Sequence, residues 1–261
     1  MIQTNSQNNS GWQVVAASCC GTSHIKVGMP CQDAHCWQIL PNSTLVAAVS
    51  DGAGSAPCAD VGAIIASKTA VESVRSRLMQ MTLPEEHEGY KALLIDAIQS
   101  ARAAIEIEAR ERGTKLNDFA ATLILFIAMP GLITAAQIGD GAAVAGDRHG
   151  TIHQITAPQP GKYINETTFV TSVGGIETAQ IHIWQGEVTH VAVLSDGLQM
   201  LTLNMPEGTP HVPFFSHMFQ FLSDVTDVNE AQAELNTFLS SSRVTERTDD
   251  DLTLLLAKFV I

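Results

Sequence analysis

The order of two hydrophobic periodicities restricts the fold of this chain more than any other feature. Short apolar runs bounded by Gly, Pro, Asn and Ser come first and predict strands. They lie at 12–19, 34–40 and 44–50. Two long segments with helical spacing follow, at 60–81 and 84–112. The remaining strand-like runs are 120–129, 132–138, 142–146, 151–156, 181–184, 188–195 and 252–260, with a helical segment at 226–243 before the last.

Strands and helices in this order do not alternate as they do in a parallel βαβ protein. The order therefore predicts an α+β fold, with antiparallel sheets and helices packed outside them. Helix ends carry their own signals. Thr82 and Glu85 have the spacing of a capping box, Gly113 is a stop signal, and Asp227 and Glu230 form a second capping-box pair.

One uncharged segment, 119–139, is about as long as a membrane span. Pro130 and Gly131 lie at its middle, however, and this pair suits the central positions of a type II turn. Both halves are rich in residues that favour strands. We therefore expect a buried hairpin and not a transmembrane helix.

Composition limits the classes of partner. The 261 residues are 45% hydrophobic and 16% charged, which suits one domain over 12–261 after a disordered polar tail, 1–11. The formal charge of -13 repels phosphate backbones and anionic lipid, so nucleic acid and membrane surfaces are excluded as partners. We expect a monomer.

The cysteines and the N-terminus indicate the compartment. The five cysteines fall in the first quarter of the chain without CxxC spacing, which argues against a disulfide framework and a tetrahedral zinc site. The N-terminus lacks the basic and apolar regions of a signal peptide. We expect a cytoplasmic protein with reduced thiols.

Aspartates recur where an apolar strand meets a turn. They are Asp33, Asp51, Asp140, Asp196 and Asp250. Any single Asp-Gly pair is also typical of a hairpin turn, but the whole series is harder to explain in that way. Buried carboxylates must either protonate or bind a cation, and few Lys or Arg residues adjoin them. Oxygen ligands without His or Cys favour Mg²⁺ or Mn²⁺.

The motifs around these aspartates resemble one family. GMPCQDA, SDGAG, AATL, IGDG, SDGL and TDDDLTLLL occur in that order between residues 12 and 260. Their order resembles the type 2C, metal-dependent serine/threonine protein phosphatases, in particular the compact bacterial branch. The resemblance implies a four-layer αββα sandwich with a dinuclear metal centre at one end. It also implies phosphorylated proteins as substrates, hydrolysed by a hydroxide that bridges two ions.

The resemblance assigns roles to the site residues. It implies that Asp51 bridges the two metals, that the Gly52 carbonyl binds one, and that Asp196 and Asp250 hold the other. Two more aspartates receive lesser roles: Asp33 would hold metal-bound water, and Asp140 would contribute to a looser third metal.

Two positions depart from the family pattern. Gln32 stands where a glutamate is common, and Gly28 lies near the place of a phosphate-binding arginine. His24 and Lys26 are the nearest cationic candidates for phosphate. His24 is also a candidate to protonate the leaving alkoxide, although a partly exposed loop histidine is the commoner case.

A long stretch without periodicity, 157–180, is interpreted as a surface loop or flap, and its Lys162 is a candidate substrate contact. The leading hypothesis for function is a phosphoserine/phosphothreonine protein phosphatase. The alternative, motivated by Gln32 and the missing arginine, is a catalytically weak homologue that binds phosphoproteins as a signalling partner.

Overall fold

The structure, a computed structural model, describes residues 11–80, 83–84, 86–158 and 167–260. The strands are β1 (Gly11–Cys19), β2 (Asp33–Ile39), β3 (Leu45–Asp51), β4 (Leu123–Met129), β5 (Leu132–Ile138), β6 (Ala142–Asp147), β7 (Ile152–Thr156), β8 (Gln180–Gln185), β9 (Val188–Leu194), β10 (Leu203–Asn204), β11 (Thr209–Pro210) and β12 (Leu252–Val260). The α-helices are α1 (Thr22–Val27), α2 (Ala59–Gln80), α3 (His87–Arg112), α4 (Gln199–Thr202), α5 (Val212–Asp224), α6 (Val228–Leu239) and α7 (Ser242–Thr245).

Two five-stranded sheets form the centre of the molecule. The first has the order β1-β12-β9-β6-β7 and the second the order β2-β3-β4-β5-β8. Neighbouring strands in both sheets are antiparallel. The antiparallel sheets predicted from the order of periodicities are therefore confirmed.

Three hydrophobic clusters separate four layers. The cluster between the sheets includes Leu45, Phe126 and Leu255, which are almost completely buried. A second cluster joins α2 and α3 to the second sheet, and a third joins α5 and α6 to the first. The four-layer αββα sandwich implied by the resemblance is therefore confirmed.

The uncharged segment 119–139 folds as the predicted hairpin. β4 and β5 pair from Leu123 opposite Ile138 to Met129 opposite Leu132. Gly131 in the connecting turn has φ 84°, a left-handed conformation that favours glycine. No helix in the described ranges is long and apolar enough to cross a membrane.

Helix ends follow the sequence signals at two of three places. Gly113 caps α3 in the left-handed conformation, and the Asp227 carboxylate accepts hydrogen bonds from the backbone N–H groups of Asn229 and Glu230. The start of α3 differs from the prediction. Its N-cap is Glu86, and the first turn closes on the Glu86 carbonyl, so the predicted capping box does not begin this helix. Thr82 and Glu85 lie outside the described residues.

The helix α5 was not predicted from periodicity. Its buried residues, Phe215, Phe219 and Leu222, have helical spacing, but aromatic residues also occur between them and obscure the polar face. Tertiary packing determines whether such a segment is helical, because burial of one helix face against a sheet outweighs a weak local helix propensity. Together with α6, this helix forms the outer layer on the first sheet.

Candidate metal centre

Five strand ends meet at one edge of the sandwich. The antiparallel register places Asp33, the first residue of β2, directly opposite Asp51, the last residue of β3. In the other sheet, Leu194 at the end of β9 pairs with both Ala142 at the start of β6 and Leu254 near the start of β12. The residues just beyond these strands, Asp140, Asp196 and Asp250, are therefore brought to the same edge.

Three of these aspartates form a compact group. One carboxylate oxygen from each of Asp51, Asp140 and Asp196 lies within 4.8 Å of the others. No described lysine or arginine forms an ion pair with any of the three. Negative charge is therefore concentrated here without a basic side chain to balance it.

The pKa values of these aspartates reflect the concentration of negative charge. Burial raises the pKa of Asp196 to about 8, and the charges of Asp140 and Asp250 add to the effect. Burial and the charge of Asp33 raise the pKa of Asp51 well above its usual range. Partial burial also raises the pKa of Asp250, although this residue is exposed to solvent at the rim. A cation at this position would remove the repulsion that raises these values.

Asp33 is held in place by a serine that the sequence analysis did not single out. The Ser195 hydroxyl donates to Asp33 Oδ2 at 2.6 Å, and Ser195 Oγ accepts from the Thr253 backbone N–H. Burial raises the pKa of Asp33 to about 6 despite this hydrogen bond. Asp33 Oδ1 is buried with no hydrogen-bond partner in the described structure. The repeated Ser-Asp-Gly motif was a signal for Ser195, because the serine precedes the aspartate in both copies.

The glycines after two of the aspartates allow close contact with backbone atoms of other segments. Neither Gly52 nor Gly197 has a positive φ, so a left-handed turn does not explain the glycine at either position. A Cβ on Gly52 would lie 2.6 Å from the Ala59 carbonyl oxygen, and one on Gly197 would lie 2.1 Å from the Asp251 carbonyl oxygen. A side chain at either position would force the strand ends apart.

Asp140 connects the centre to two other segments. Its Oδ2 accepts a hydrogen bond from the Thr167 hydroxyl at 2.7 Å, and its backbone carbonyl accepts one from the Gln199 side chain. Thr167 belongs to the flap, so part of that segment does reach the centre. Arg102 of α3 anchors the same segment by donating to the carbonyls of Val170 and Ser172.

Beside the centre, Asp251 organises a group of nitrogen donors. Its Oδ1 accepts from the backbone N–H of Gly21 at 2.6 Å, and its Oδ2 accepts from the backbone N–H of Gln32 and from Nδ1 of His24 at 2.9 Å. The Asp251 side chain is 1% exposed. Nothing in the sequence indicated a role for Asp251 in the run of three aspartates, and the burial of this residue follows from its position next to β12.

The other predicted residues lie in different surroundings. Gln32 is 3% exposed, and its Oε1 has no hydrogen-bond partner in the described structure. His24 and Lys26 lie on α1, with His24 turned toward Asp251 and Lys26 exposed. Lys162 lies outside the described residues.

The donor set fits a hard divalent cation. Carboxylate oxygens dominate, and two buried oxygens, Asp33 Oδ1 and Gln32 Oε1, lack hydrogen-bond partners within the described ranges. Unpartnered buried oxygens are costly, and metal coordination is one way to satisfy them. Oxygen sets of this kind select Mg²⁺ or Mn²⁺ over softer ions.

An acidic metal centre at one edge of an αββα sandwich defines a class of metal-dependent phosphatases, and the comparisons agree. A family described as Protein phosphatase 2C matches residues 20–240. The chain is 35% identical to Serine/threonine-protein phosphatase 3 of Escherichia coli (strain K12) over 252 residues, 94% of this chain and 98% of the relative. The chain therefore belongs to the protein phosphatase 2C family and is a phosphoprotein phosphatase.

Solved structures share the fold at low sequence identity. Serine/threonine phosphatase Stp1 from Staphylococcus aureus superposes with a TM-score of 0.63 at 16% identity, covering 99% of both chains. RsbX in complex with magnesium superposes with a TM-score of 0.55 at 16% identity, covering 97% of this chain and 98% of the other. These similarities support the four-layer architecture.

Proposed function

We propose that this protein removes phosphate from phosphoserine and phosphothreonine in proteins, with two divalent ions, Mg²⁺ or Mn²⁺, at the aspartate centre. The grouping of the Asp51, Asp140 and Asp196 carboxylates within 4.8 Å carries the proposal. The presence of all three carboxylates favours a catalytic protein over the alternative, a phosphoprotein-binding module, because binding alone does not require a metal centre.

Each ligand has a role in the proposal. Asp51 would hold both ions, the Gly52 carbonyl would hold one of them, and Asp196 and Asp250 would hold the other. Gln32 Oε1 and Asp33 Oδ1 would hold water around the ions, since neither buried oxygen has a hydrogen-bond partner among the described residues. Asp140 would contribute to a third, weaker position. When bound, the ions would lower the pKa of bound water and neutralise phosphoryl oxygens.

The protein's own contribution is to fix these groups before substrate arrives. The Ser195 hydroxyl orients Asp33, and the Thr122 hydroxyl accepts from the Asp51 backbone N–H at 3.0 Å. Strand pairing holds Asp33 and Asp51 at a constant separation. Such preorganisation lowers the barrier, because little rearrangement remains for the reaction itself.

His24 is proposed to supply a proton to the leaving serine or threonine oxygen. Its Nδ1 lies 2.9 Å from Asp251 Oδ2, and its side chain is 13% exposed. A carboxylate on one ring nitrogen fixes the orientation of the imidazole and leaves the other nitrogen for substrate. Lys26 on the same helix, and Lys162 in the flap, remain candidates for contact with the phosphorylated protein.

The test measures phosphate release from phosphoserine, phosphothreonine and phosphotyrosine peptides, with Mn²⁺, with Mg²⁺ and with a chelator. We expect release from the first two peptides that requires either ion. Asp51→Ala should reduce turnover by about 10³-fold or more, because several kcal/mol of electrostatic stabilisation are removed. Glu234→Ala, on the exposed face of α6, is the matched control and should keep parental activity.

Two results would contradict the proposal. Hydrolysis that continues at the parental rate in the chelator would exclude the metal centre. Near-parental turnover by the Asp51→Ala protein with Mn²⁺ would exclude this aspartate as a shared ligand. Preference for the phosphotyrosine peptide would change the substrate class and leave the centre in place.

A further inference from the structure

A second group of metal-ligating side chains lies next to the aspartate centre and has a different chemistry. Ligand atoms of Cys20, His24 and Asp251 all lie within 4.8 Å of one another. Sulfur, nitrogen and oxygen donors together suit a thiophilic divalent ion, whereas the aspartate centre offers only oxygen. We propose that Cys20, His24 and Asp251 form a binding site for Zn²⁺ that is separate from the site of the activating ions.

The three side chains already lie around one position. His24 Nδ1 donates a hydrogen bond to the Asp251 carboxylate, and Cys20 Sγ lies within 4.8 Å of both ligand atoms while its thiol donates to the Met29 carbonyl. A zinc ion can take the place of the donated protons, because thiolate, imidazole and carboxylate are its usual protein ligands. The thiol proton then passes to solvent, and His24 binds through Nδ1 as the neutral tautomer that carries its single proton on Nε2.

The spacing is close to what a zinc ion requires. Ligands around tetrahedral zinc lie about 2.0–2.3 Å from the ion, so two ligand atoms are roughly 3–4 Å apart. Ligand atoms at the 4.8 Å limit would have to approach by about 1–2 Å, which side-chain rotation can supply. Cys20 and His24 are only partly buried, so an ion can reach them. The Met29 carbonyl, 3.6 Å from Cys20 Sγ, lies beside the group.

Occupation of this site would affect the phosphatase. Asp251 also accepts from the backbone N–H of Gln32, which precedes Asp33, and from that of Gly21, which precedes α1. Zinc would compete for that carboxylate and would hold His24 as a neutral imidazole, which cannot supply the imidazolium proton to the leaving oxygen. We therefore expect zinc to inhibit hydrolysis even when Mn²⁺ is saturating. This consequence depends on the proposed function, whereas zinc binding itself does not.

The neighbouring cysteine provides a matched control. Cys19 lies beside Cys20 in the chain, but its thiol contacts Asn236 and Ser240 instead. Cys19→Ser and Cys20→Ser therefore make the same chemical change on opposite sides of one segment. Thermal melting of both proteins checks that each one folds.

The binding test uses Co²⁺ and Zn²⁺ on the full chain. Zinc can also enter the aspartate centre, so the informative signal is the thiolate-to-cobalt charge-transfer absorption, which requires a cysteine ligand. We expect this band in the parental protein and in Cys19→Ser, its loss in Cys20→Ser, and its displacement by Zn²⁺. A competing chelator should show at least tenfold weaker zinc binding by Cys20→Ser and by His24→Gln.

The outcomes separate the two proposals. Absence of the thiolate band from the parental protein, or an unchanged band in Cys20→Ser, would overturn the zinc site whatever the phosphatase activity. If Cys20→Ser does not fold, loss of the band in His24→Gln without loss in Cys19→Ser supports the site, and retention overturns it. Inhibition by zinc that is equal in parental protein and Cys20→Ser would overturn the inhibitory role.

Discussion

Asp33 and Asp51 face each other across neighbouring antiparallel strands, one at the start of β2 and the other at the end of β3. Carboxylates in this arrangement repel each other when both are ionised, and burial together with the charge of Asp33 raises the pKa of Asp51 well above its usual range. Folding therefore brings together charges that only protons or cations can stabilise.

The first prediction concerns pH and the metal-free protein. Folding raises the pKa of Asp33 to about 6 and that of Asp196 to about 8, both above the value of about 3.9 in an unfolded chain. A raised pKa stabilises the fold at low pH, and this contribution is lost as the pH rises through the folded-state value. We expect the melting temperature in chelator to fall by several degrees between about pH 5 and about pH 9.

Two further measurements test whether these carboxylates cause the pH dependence of the melting temperature. Mn²⁺ should restore the melting temperature more at the higher pH, because it binds the ionised carboxylates. Asp196→Asn should flatten the pH profile of the metal-free protein. A melting temperature that rises over the same interval would show that other groups control stability there.

The second prediction concerns Gln32. Its Oε1 is buried beside the centre and has no hydrogen-bond partner in the part of the chain that the structure describes. An amide lacks the charge with which carboxylates bind hard cations. Gln32→Glu adds that charge at nearly constant volume. A gain of about 1.4 kcal/mol would lower the half-saturating Mn²⁺ concentration roughly tenfold.

Mn²⁺ titrations of phosphate release and calorimetry of Mn²⁺ binding measure this change. Gln38→Glu, at the opposite end of β2 where the side chain is half-buried, makes the same substitution away from the centre and should leave the titration unchanged. An equal metal requirement in parental protein and Gln32→Glu would show that Gln32 does not contact bound metal or its water.

The third prediction separates a proton-donating His24 from a structural one. Gln in its place keeps an N–H for Asp251 but carries no titratable proton. Serine alkoxide needs protonation on leaving, whereas p-nitrophenolate does not. We expect His24→Gln to lower kcat on a phosphoserine peptide by about 10²-fold or more, and to change kcat on p-nitrophenyl phosphate little.

His217→Gln, on the exposed surface of α5, is the control for this substitution. Equal losses on both substrates would indicate that His24 acts only by supporting the Asp251 group. No loss on either substrate would remove His24 from the mechanism.

The fourth prediction concerns the flap, 157–180. Arg102 Nη1 donates at 2.7 Å to the carbonyls of both Val170 and Ser172, and Thr167 of the same segment contacts Asp140. Arg102→Met removes these donors and keeps an apolar stem. We expect KM for a phosphoprotein substrate to rise, with a smaller effect on p-nitrophenyl phosphate, because only the larger substrate extends over the flap.

A destabilisation of about 1.5–3 kcal/mol is expected from the lost hydrogen bonds of a charged donor. Arg110→Met, on the exposed surface of the same helix, controls for the loss of positive charge. Equal changes in KM for the two substrates would make this segment an ordinary surface loop.

The sequence by itself predicted the elements of the two large sheets, three of the helices and the ligand chemistry. Apolar periodicity predicted the strands of both five-stranded sheets and the helices α2, α3 and α6, because side-chain burial repeats with the geometry of each element. Aspartates at strand ends predicted an oxygen-rich cation centre, because that conclusion depends on residue type and position alone. The hairpin at 119–139 followed from Pro130 and Gly131 for the same local reason.

Only the tertiary structure decided which groups touch. A run of identical residues does not reveal that Asp251 is buried and Asp250 exposed, because this difference depends on where β12 begins. Gly52 and Gly197 are required by backbone atoms distant in sequence, which no local turn signal reveals. The link from Ser195 to Asp33 and the meeting of Cys20, His24 and Asp251 likewise join segments far apart in the chain. Such contacts arise when two sheets pack and close one edge, so they are properties of the assembled sandwich and not of any single segment.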